Sequence, residues 1–405
     1  MILKAQLKSV IDSQNENFRT NKTGITRDDL PKVPFQENFV TIITGIRRCG
    51  KSTLLLQYMQ SYMTGGVFLN FEDIRLANFE SSDLSRFYEI LVEQNEKQLI
   101  LDEIQLIPKW EIFVNQLLRE GYKIFISGSN ATMLSRELGT HLTGRNLTME
   151  LFPFSYAEFL RIKGVEKSTS ALLDYLKEGG FPEFLKSNNT DILVNLVNDI
   201  LIRDIAIRHA IRDIDALRKL TLYLISNIGK PVSATNISRM DGFKSVSTII
   251  EYFGYLEETY LLAFIPQFSF SIKSQIRNPK KVYCIDNGII SVISKSFSED
   301  IGRKLENLVF LTLRRKSKDI FYFKNKGECD FVIQKNDKIV SAIQVSYDVN
   351  DLNFNREIDG LIEAMDFFDL KEGFIVSFTQ NDVIEINGRK VKIIPLDVFL
   401  SDFIL

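Results

Sequence analysis

The octapeptide Gly45-Ile46-Arg47-Arg48-Cys49-Gly50-Lys51-Ser52 constrains this chain more than any other stretch. It satisfies G-x-x-x-x-G-K-[ST] at every fixed position, and its flanks suit it. Phe39-Val40-Thr41-Ile42-Ile43-Thr44 before it reads as a strand, and Ser52-Thr53-Leu54-Leu55-Leu56-Gln57-Tyr58-Met59 after it as a helix. A loop between such elements points its backbone N–H groups inward, and the helix N-terminus adds partial positive charge. The result is a cradle for phosphate oxygens, with Thr53 completing the binding set. Lys51 is expected to reach the β- and γ-phosphates, and the Ser52 hydroxyl to ligate Mg²⁺. The alternative is a chance Gly-rich turn, which does not account for both flanks.

A second acidic motif follows at a suitable distance. Gln98-Leu99-Ile100-Leu101-Asp102-Glu103 is a continuously apolar run ending in two carboxylates. Strands buried on both faces read this way, and their C-terminal ends open on the ligand crevice. This is the Walker B pattern, in which Asp102 holds Mg²⁺ and Glu103 orients and polarises the attacking water. A plain strand-end acid pair is the alternative. Tyr122-Lys123-Ile124-Phe125-Ile126-Ser127-Gly128-Ser129-Asn130 is another apolar strand with a polar end. Ser129 and Asn130 are candidates to contact the γ-phosphate or the lytic water, or to cap the helix that follows. Strand-like runs alternating with helical ones predict an α/β layer with a mainly parallel sheet, closed by Leu147-Thr148-Met149-Glu150-Leu151. Arg145 precedes that strand. It is either an arginine finger, in cis or from a neighbouring subunit, or a loop Arg paired with a surface acid.

These runs, with Asn70-Phe71-Glu72-Asp73, Leu142-Thr143-Gly144-Arg145, Phe152-Pro153-Phe154-Ser155-Tyr156 and Gly179-Gly180-Phe181-Pro182-Glu183, resemble a family of prokaryotic AAA-type ATPases. In that family an ATPase domain precedes a C-terminal domain of unknown function. The resemblance covers nearly the whole chain. It implies ATP binding and hydrolysis with Mg²⁺, used as a nucleotide-driven switch or motor, and it names no biological process.

Four regions are expected: an ATPase core (residues 1–152), a helical lid (153–210), a winged helix (211–280) and a C-terminal α/β domain (281–405). Between 217 and 268 the order helix, short capped helix, helix, hairpin is that of a winged helix. Lys244, Ser245, Ser247 and Thr248 would face DNA, with Lys273 and Arg277 near the wing. Glu251, Glu257 and Glu258 oppose it, and interdomain packing is the other use of such a module. Further on, a helix bearing Glu306, a strand with Asp330 and a strand with Gln344 resemble the PD-(D/E)XK nuclease plan. That chemistry needs clustered carboxylates for a metal ion and a Lys for the developing charge. Gln344 is neutral and Ser346 stands where Lys belongs, so a degenerate nuclease-like domain is expected. Lys324, Lys326 and Arg356 are the candidates to replace the lysine in space. The alternative function is thus a nucleotide-gated DNA-binding protein.

Composition narrows the rest. A net charge of −2 on 405 residues leaves no overall electrostatic footprint for nucleic acid, though a local patch is compatible. Two histidines argue against His-based metal or triad chemistry, and three scattered cysteines read as reduced thiols in a cytoplasmic protein. The N-terminus has no signal-peptide pattern, and no apolar run reaches the ~20 residues of a membrane span. A protein client and an oligomer are compatible partners.

Overall fold

The apolar runs of the first region become five parallel strands: β1 (Val40–Thr44), β2 (Val67–Asn70), β3 (Gln98–Asp102), β4 (Lys123–Gly128) and β5 (Asn146–Glu150). This is a computed structural model describing residues 1–129, 144–240, 242–243, 245–294 and 301–403. Two sequence candidates, Asn130 and Lys244, lie outside the described residues. The described chain divides into two compact units, Met1–Phe152 with Glu258–Tyr260, and Pro153–Glu257 with Leu261–Leu405.

In the first unit the strand order is β2-β3-β4-β1-β5. All neighbours run parallel. From β1 the chain crosses to the far edge at β2 and steps back through β3 and β4. The strands bearing the two motifs therefore end on the same side of the sheet, with β4 between them, about 10 Å apart. A crevice at this kind of topological switch is where open α/β sheets bind ligands. Leu69, Leu99, Leu101, Ile124 and Ile126 pack against Phe87, Ile90 and Leu91 of helix Leu84–Gln94 and Trp110 of helix Trp110–Arg119. The N-terminal helix Lys4–Thr20 adds Leu7, Val10 and Ile11. It also finishes the edge strand. Asn15 bonds both backbone groups of Phe68, at 2.9 and 3.1 Å, and Gln14 both of Asn70, at 2.7 and 3.2 Å. Side-chain amides thus occupy edge groups that would otherwise invite another strand.

The second unit begins with helices Tyr156–Lys163, Thr169–Glu178, Pro182–Ser187 and Asp191–Asp199, the last continuing as a π-helix through Ile207. Strands β6 (Pro231–Val232), β7 (Leu262–Pro266) and β8 (Lys280–Cys284) form an antiparallel sheet in the order β6-β8-β7, beside helices Ile214–Ser226 and Val246–Glu258. The expected boundary at 280/281 falls within β8, which pairs through its backbone with β6 and β7. The helical stretch after residue 153 falls in the same compact unit as residues 261–405. Asp286 accepts from the Gly180 N–H at 2.6 Å and from the Gly288 N–H at 2.8 Å. A Cβ on Gly179 would lie 2.2 Å from that carboxylate and one on Gly180 2.3 Å from the Phe154 carbonyl oxygen, which is why a Gly-Gly pair stands there.

A six-stranded sheet completes the unit, from β9 (Ile320–Lys324), β10 (Glu328–Lys335), β11 (Lys338–Val345), β12 (Glu372–Ser377), β13 (Asp382–Ile386) and β14 (Arg389–Pro395). Strands β9, β10 and β11 are antiparallel neighbours, while β11 and β12 are parallel. That parallel step requires a crossover, supplied by helix Phe354–Phe367. Its Leu361, Ala364 and Met365 pack on Val332, Ala342 and Ile375. No helix among the described residues is long and apolar enough to cross a membrane.

Candidate functional site

At the end of β1 the chain turns through Gly45 (φ 137°) and Arg48 (φ 62°) and enters helix Lys51–Tyr62 from Gly50 (φ 100°). Gly45 has a specific steric reason to be glycine. A Cβ there would meet the Leu151 carbonyl oxygen at 2.2 Å, because Leu151 N–H donates to Thr44 O at 2.8 Å and draws the chain after β5 against the loop. The first N–H groups of the helix have no intrahelical acceptor and open toward the loop's interior. Ile46 and Cys49 are buried, Arg48 and Thr53 exposed. Lys51 is also buried, and its ammonium donates to the carbonyls of Gly45 and Ile46, both at 3.0 Å. It is thus folded over the cradle and bound only to groups that phosphate oxygens can replace.

The two motifs meet through Asp102. Its Oδ2 accepts from the Ser52 hydroxyl at 2.7 Å and its Oδ1 from the Ser127 hydroxyl. Burial pushes the Asp102 carboxyl above the usual carboxylate range, against the pull of those two hydroxyls and the Lys51 charge. A divalent cation beside Ser52 would reverse that shift. Glu103 follows in a left-handed backbone conformation (φ 54°, ψ 34°), uncommon for a non-glycine and characteristic of functional sites. Its N–H donates to Ser127 O at 2.9 Å, and its carboxylate accepts from the Gln105 amide. Burial raises Glu103 to about 7; Lys51 and Arg47 oppose the rise, Asp102 and Glu72 add to it. Glu72 pairs with Arg47 of the loop at 3.3 Å. Ser129, one residue past β4, is buried at the same edge. A cavity of about 490 Å³ opens beside Ser52 and Asp102, lined also by Asn70, Glu72, Asp73 and Arg75. The donors fit the expected ligand: a loop of backbone N–H groups and one Lys for phosphates, and a hydroxyl and a carboxylate for Mg²⁺.

Arg145 stands elsewhere. The register pairs Val40 with Asn146 and Thr44 with Glu150, so Arg145 precedes the N-terminal end of β5. That end of the sheet lies opposite the P-loop, roughly 16 Å of strand away. In this register Arg145 does not stand beside this chain's own loop.

Several supporting residues escaped the sequence reading. Buried Arg27 donates to Cys49 O and Phe152 O, both at 2.8 Å, and so ties the segment before β1 to the loop. Gln57 holds the same segment through the Arg27 N–H and the carbonyls of Thr23 and Ile25. Ser127 was visible only as a strand residue, and its role follows from the pairing of Asp102 with Ser127 across β3 and β4.

In the second unit Glu306, Asp330 and Gln344 do converge. Gln344 accepts from the Asp330 N–H at 3.1 Å and donates to Glu357 Oε2 at 2.9 Å. A carboxylate at 344 could accept but not donate, and would face Glu357 directly. Ser346 turns away, donating to Asp348 O at 3.0 Å. None of the proposed substitutes supplies the missing lysine: Lys324 reaches only Glu328, Arg356 binds Glu357, and Lys326 contributes a backbone N–H to Glu363. The cation at Glu306 and Asp330 is Lys281 from β8, at 3.2 and 2.7 Å. Burial raises Glu306 to about 7, the nearby Asp330 charge adding to the rise. Among the described residues no group of His, Cys, Asp and Glu is disposed to hold a metal ion. Of the residues expected to face DNA, Ser245 caps its helix by accepting from the Thr248 N–H at 3.1 Å, while Ser247, Lys273 and Arg277 are exposed.

Residues 37–160 match a family model described as an AAA domain, and residues 169–300 one described as a domain of unknown function (DUF8612). An uncharacterized Methanocaldococcus jannaschii protein, MJ1544, is 35% identical over 387 residues, 88% of this chain and 85% of that one. An uncharacterized Haemophilus influenzae protein is 32% identical over 393 residues, 91% and 94% respectively. Among solved structures, S. cerevisiae Hsp104 in its extended casein complex aligns over 65% of this chain and 61% of its own, at TM-score 0.31 and 12% identity. C. elegans PCH-2 aligns over 63% and 67%, at 0.24 and 11%. Likenesses this distant carry no argument about the site.

Proposed function

We propose that this chain, which belongs to the family of the uncharacterized Methanocaldococcus and Haemophilus proteins and matches an AAA domain over residues 37–160, binds ATP with Mg²⁺ and hydrolyses it, as a nucleotide-driven switch or motor. One observation carries the reading: Ser52 of the first motif and Asp102 of the second share a hydrogen bond, with Lys51 folded over the cradle beside them. In this reading the loop N–H groups and Lys51 bind the β- and γ-phosphates, and Lys51 exchanges two carbonyls for phosphate oxygens. Ser52 and Asp102 hold the metal ion, which supplies charge neutralisation on the phosphates. Glu103 takes a proton from water, for which a carboxyl titrating near neutrality is suited. Ser129 orients that water or the γ-phosphate, and Asn130 shares the role. Purified protein should bind ATP calorimetrically and release phosphate with Mg²⁺. Glu103→Gln should bind but turn over at least 100-fold more slowly, the lower end of what a positioned general base contributes (~10²–10⁴). Absence of ATP binding at millimolar concentration sinks the proposal.

A second reading, a nucleotide-gated DNA-binding protein, is favoured by the helix and strand order of residues 214–284 and by exposed Lys273 and Arg277. The six-stranded sheet bearing Asp330, with helix Ile301–Arg314 bearing Glu306, would then be a degenerate nuclease-like domain. Salt-dependent anisotropy on duplex and single-stranded DNA tests it, and a flat signal at low salt removes it. Arg145 retains a role only in trans, which requires an oligomer; light scattering with and without ATP tests that. A protein client moved by the ATPase is compatible with either reading. We place the protein in the cytoplasm, a reading supported by three buried free thiols.

A further inference from the structure

Lys281 is among the largest fully buried side chains of the protein, and it lies outside every motif the proposed ATPase uses. Its ammonium sits 3.2 Å from Glu306, 2.9 Å from Glu328 and 2.7 Å from Asp330. The Tyr322 ring lies 5.8 Å from the same nitrogen. An ammonium has three N–H donors, and here three carboxylates take them. The carboxylates are themselves held. Asp330 Oδ2 accepts from Val345 N–H at 2.9 Å, Glu306 Oε1 from the Tyr283 hydroxyl at 2.7 Å, and Glu328 from Lys324 at 3.2 Å. Glu306 Oε2 faces Gly229, where a Cβ would come within 2.7 Å. The Tyr283 ring stacks on Phe310 at 4.3 Å, which walls the cluster with apolar surface.

We propose that the Lys281 ammonium is the resident cation of this cluster, occupying the place where a divalent ion would bridge Glu306 and Asp330, and that the unit takes no metal there while the lysine is present. Three carboxylates brought this close need a positive charge to coexist, and a divalent ion is the usual solution. Lys281 meets the same requirement with the chain's own atoms and three directed bonds. Any metal bound to the same oxygens would lie against the ammonium and be repelled by it. The strand that supplies Lys281 is β8, so the three-stranded sheet plugs the carboxylate site built by helix Ile301–Arg314 and β10. Gln344 fits this arrangement, because it spans Asp330 and Glu357 as a neutral bridge. The inference concerns the second unit alone and holds whether or not the P-loop turns over ATP.

The test uses Mn²⁺ as probe, with free Mn²⁺ read by electron paramagnetic resonance, on full-length protein without nucleotide. Wild type, Asp330→Asn, Lys281→Met and the double variant are compared, and any P-loop contribution is common to all four. Lys281→Met should gain one Mn²⁺ site at least about tenfold tighter than any in wild type, lost again in the double variant. Its thermal midpoint should fall below wild type without metal and recover by several degrees with Mn²⁺. Wild type and Asp330→Asn should give superimposable isotherms, which decides the matter even if Lys281→Met does not fold. Mn²⁺ binding by wild type that Asp330→Asn abolishes would overturn the proposal. So would a folded Lys281→Met that gains no site. Mn²⁺-dependent plasmid nicking lost in both single variants would overturn it in favour of a working nuclease with Lys281 as its lysine.

Discussion

Replacing Gly45 by alanine tests how the loop is built, because two separate costs meet there. The first is conformational: φ of 137° is poor for an L-residue, at ~1–2 kcal/mol. The second is steric. The new Cβ would stand 2.2 Å from the Leu151 carbonyl oxygen, about 1 Å inside ordinary contact. That oxygen is held in place, since it accepts from Cys49 Sγ at 3.4 Å and the Phe152 carbonyl that follows it accepts from Arg27 at 2.8 Å. Overpacking against fixed backbone costs ~1–3 kcal/mol, which makes the total ~2–5 kcal/mol. Gly121 separates the two terms. It has φ 79° in the same unit, but nothing lies within 4 Å of a Cβ built on it, so Gly121→Ala should cost only ~1–2 kcal/mol. Urea unfolding provides the assay. The chain's one tryptophan, Trp110, is buried in the first unit's core and reports that unit selectively. With a slope of ~2 kcal/mol/M, a 3 kcal/mol loss lowers the midpoint by about 1.5 M. Gly45→Ala should also lose calorimetric ATP binding, and Gly121→Ala should keep it. A Gly45→Ala midpoint equal to or above that of Gly121→Ala would refute the steric argument.

Other expectations follow from the same geometry. Arg27→Ala leaves the carbonyls of Cys49 and Phe152 without their buried donor, so the Trp110 transition should drop by ~2–5 kcal/mol and ATP affinity with it; unchanged affinity would mean the loop holds its shape unaided. Burial pushes the Glu103 carboxyl up to about 7, and the proposed base is its ionised form. Since a raised acid pKa means loss of the active form as pH falls, phosphate release should decline about fivefold between pH 7 and pH 6, and a flat profile from 6 to 8 would exclude Glu103 as the base. Gln344→Glu removes the donor to Glu357 and sets two carboxylates in contact. It should destabilise the second unit by ~2–4 kcal/mol by calorimetric unfolding, where a neutral result would show that the amide is no bridge.

The first unit was legible in sequence because its signals are local. Strands buried on both faces are continuously apolar, so Val40–Thr44, Gln98–Asp102 and Lys123–Gly128 announce themselves, and the loop's residue types follow from backbone conformation. The second unit was harder to read. Boundaries were placed by composition and module order, yet backbone pairing joins Lys280–Cys284 to strands that precede it, and Asp286 locks to Gly180 across 106 positions. Arg145 has the right residue type beside the right motif. Only register reveals that it precedes the wrong end of its strand.

By itself, then, the sequence marked the loop Gly45–Ser52 and the residues proposed here as metal ligands and general base, Ser52, Asp102 and Glu103, because each stands out by residue type at short spacing. Tertiary structure alone decided which groups support them, Arg27 and Ser127, since long-range hydrogen bonds leave no local pattern. It alone decided too that Lys281 supplies the charge absent at Ser346. A buried ammonium is drawn to carboxylates by Coulomb attraction in a poorly screening interior, and that force acts through space without regard to position along the chain.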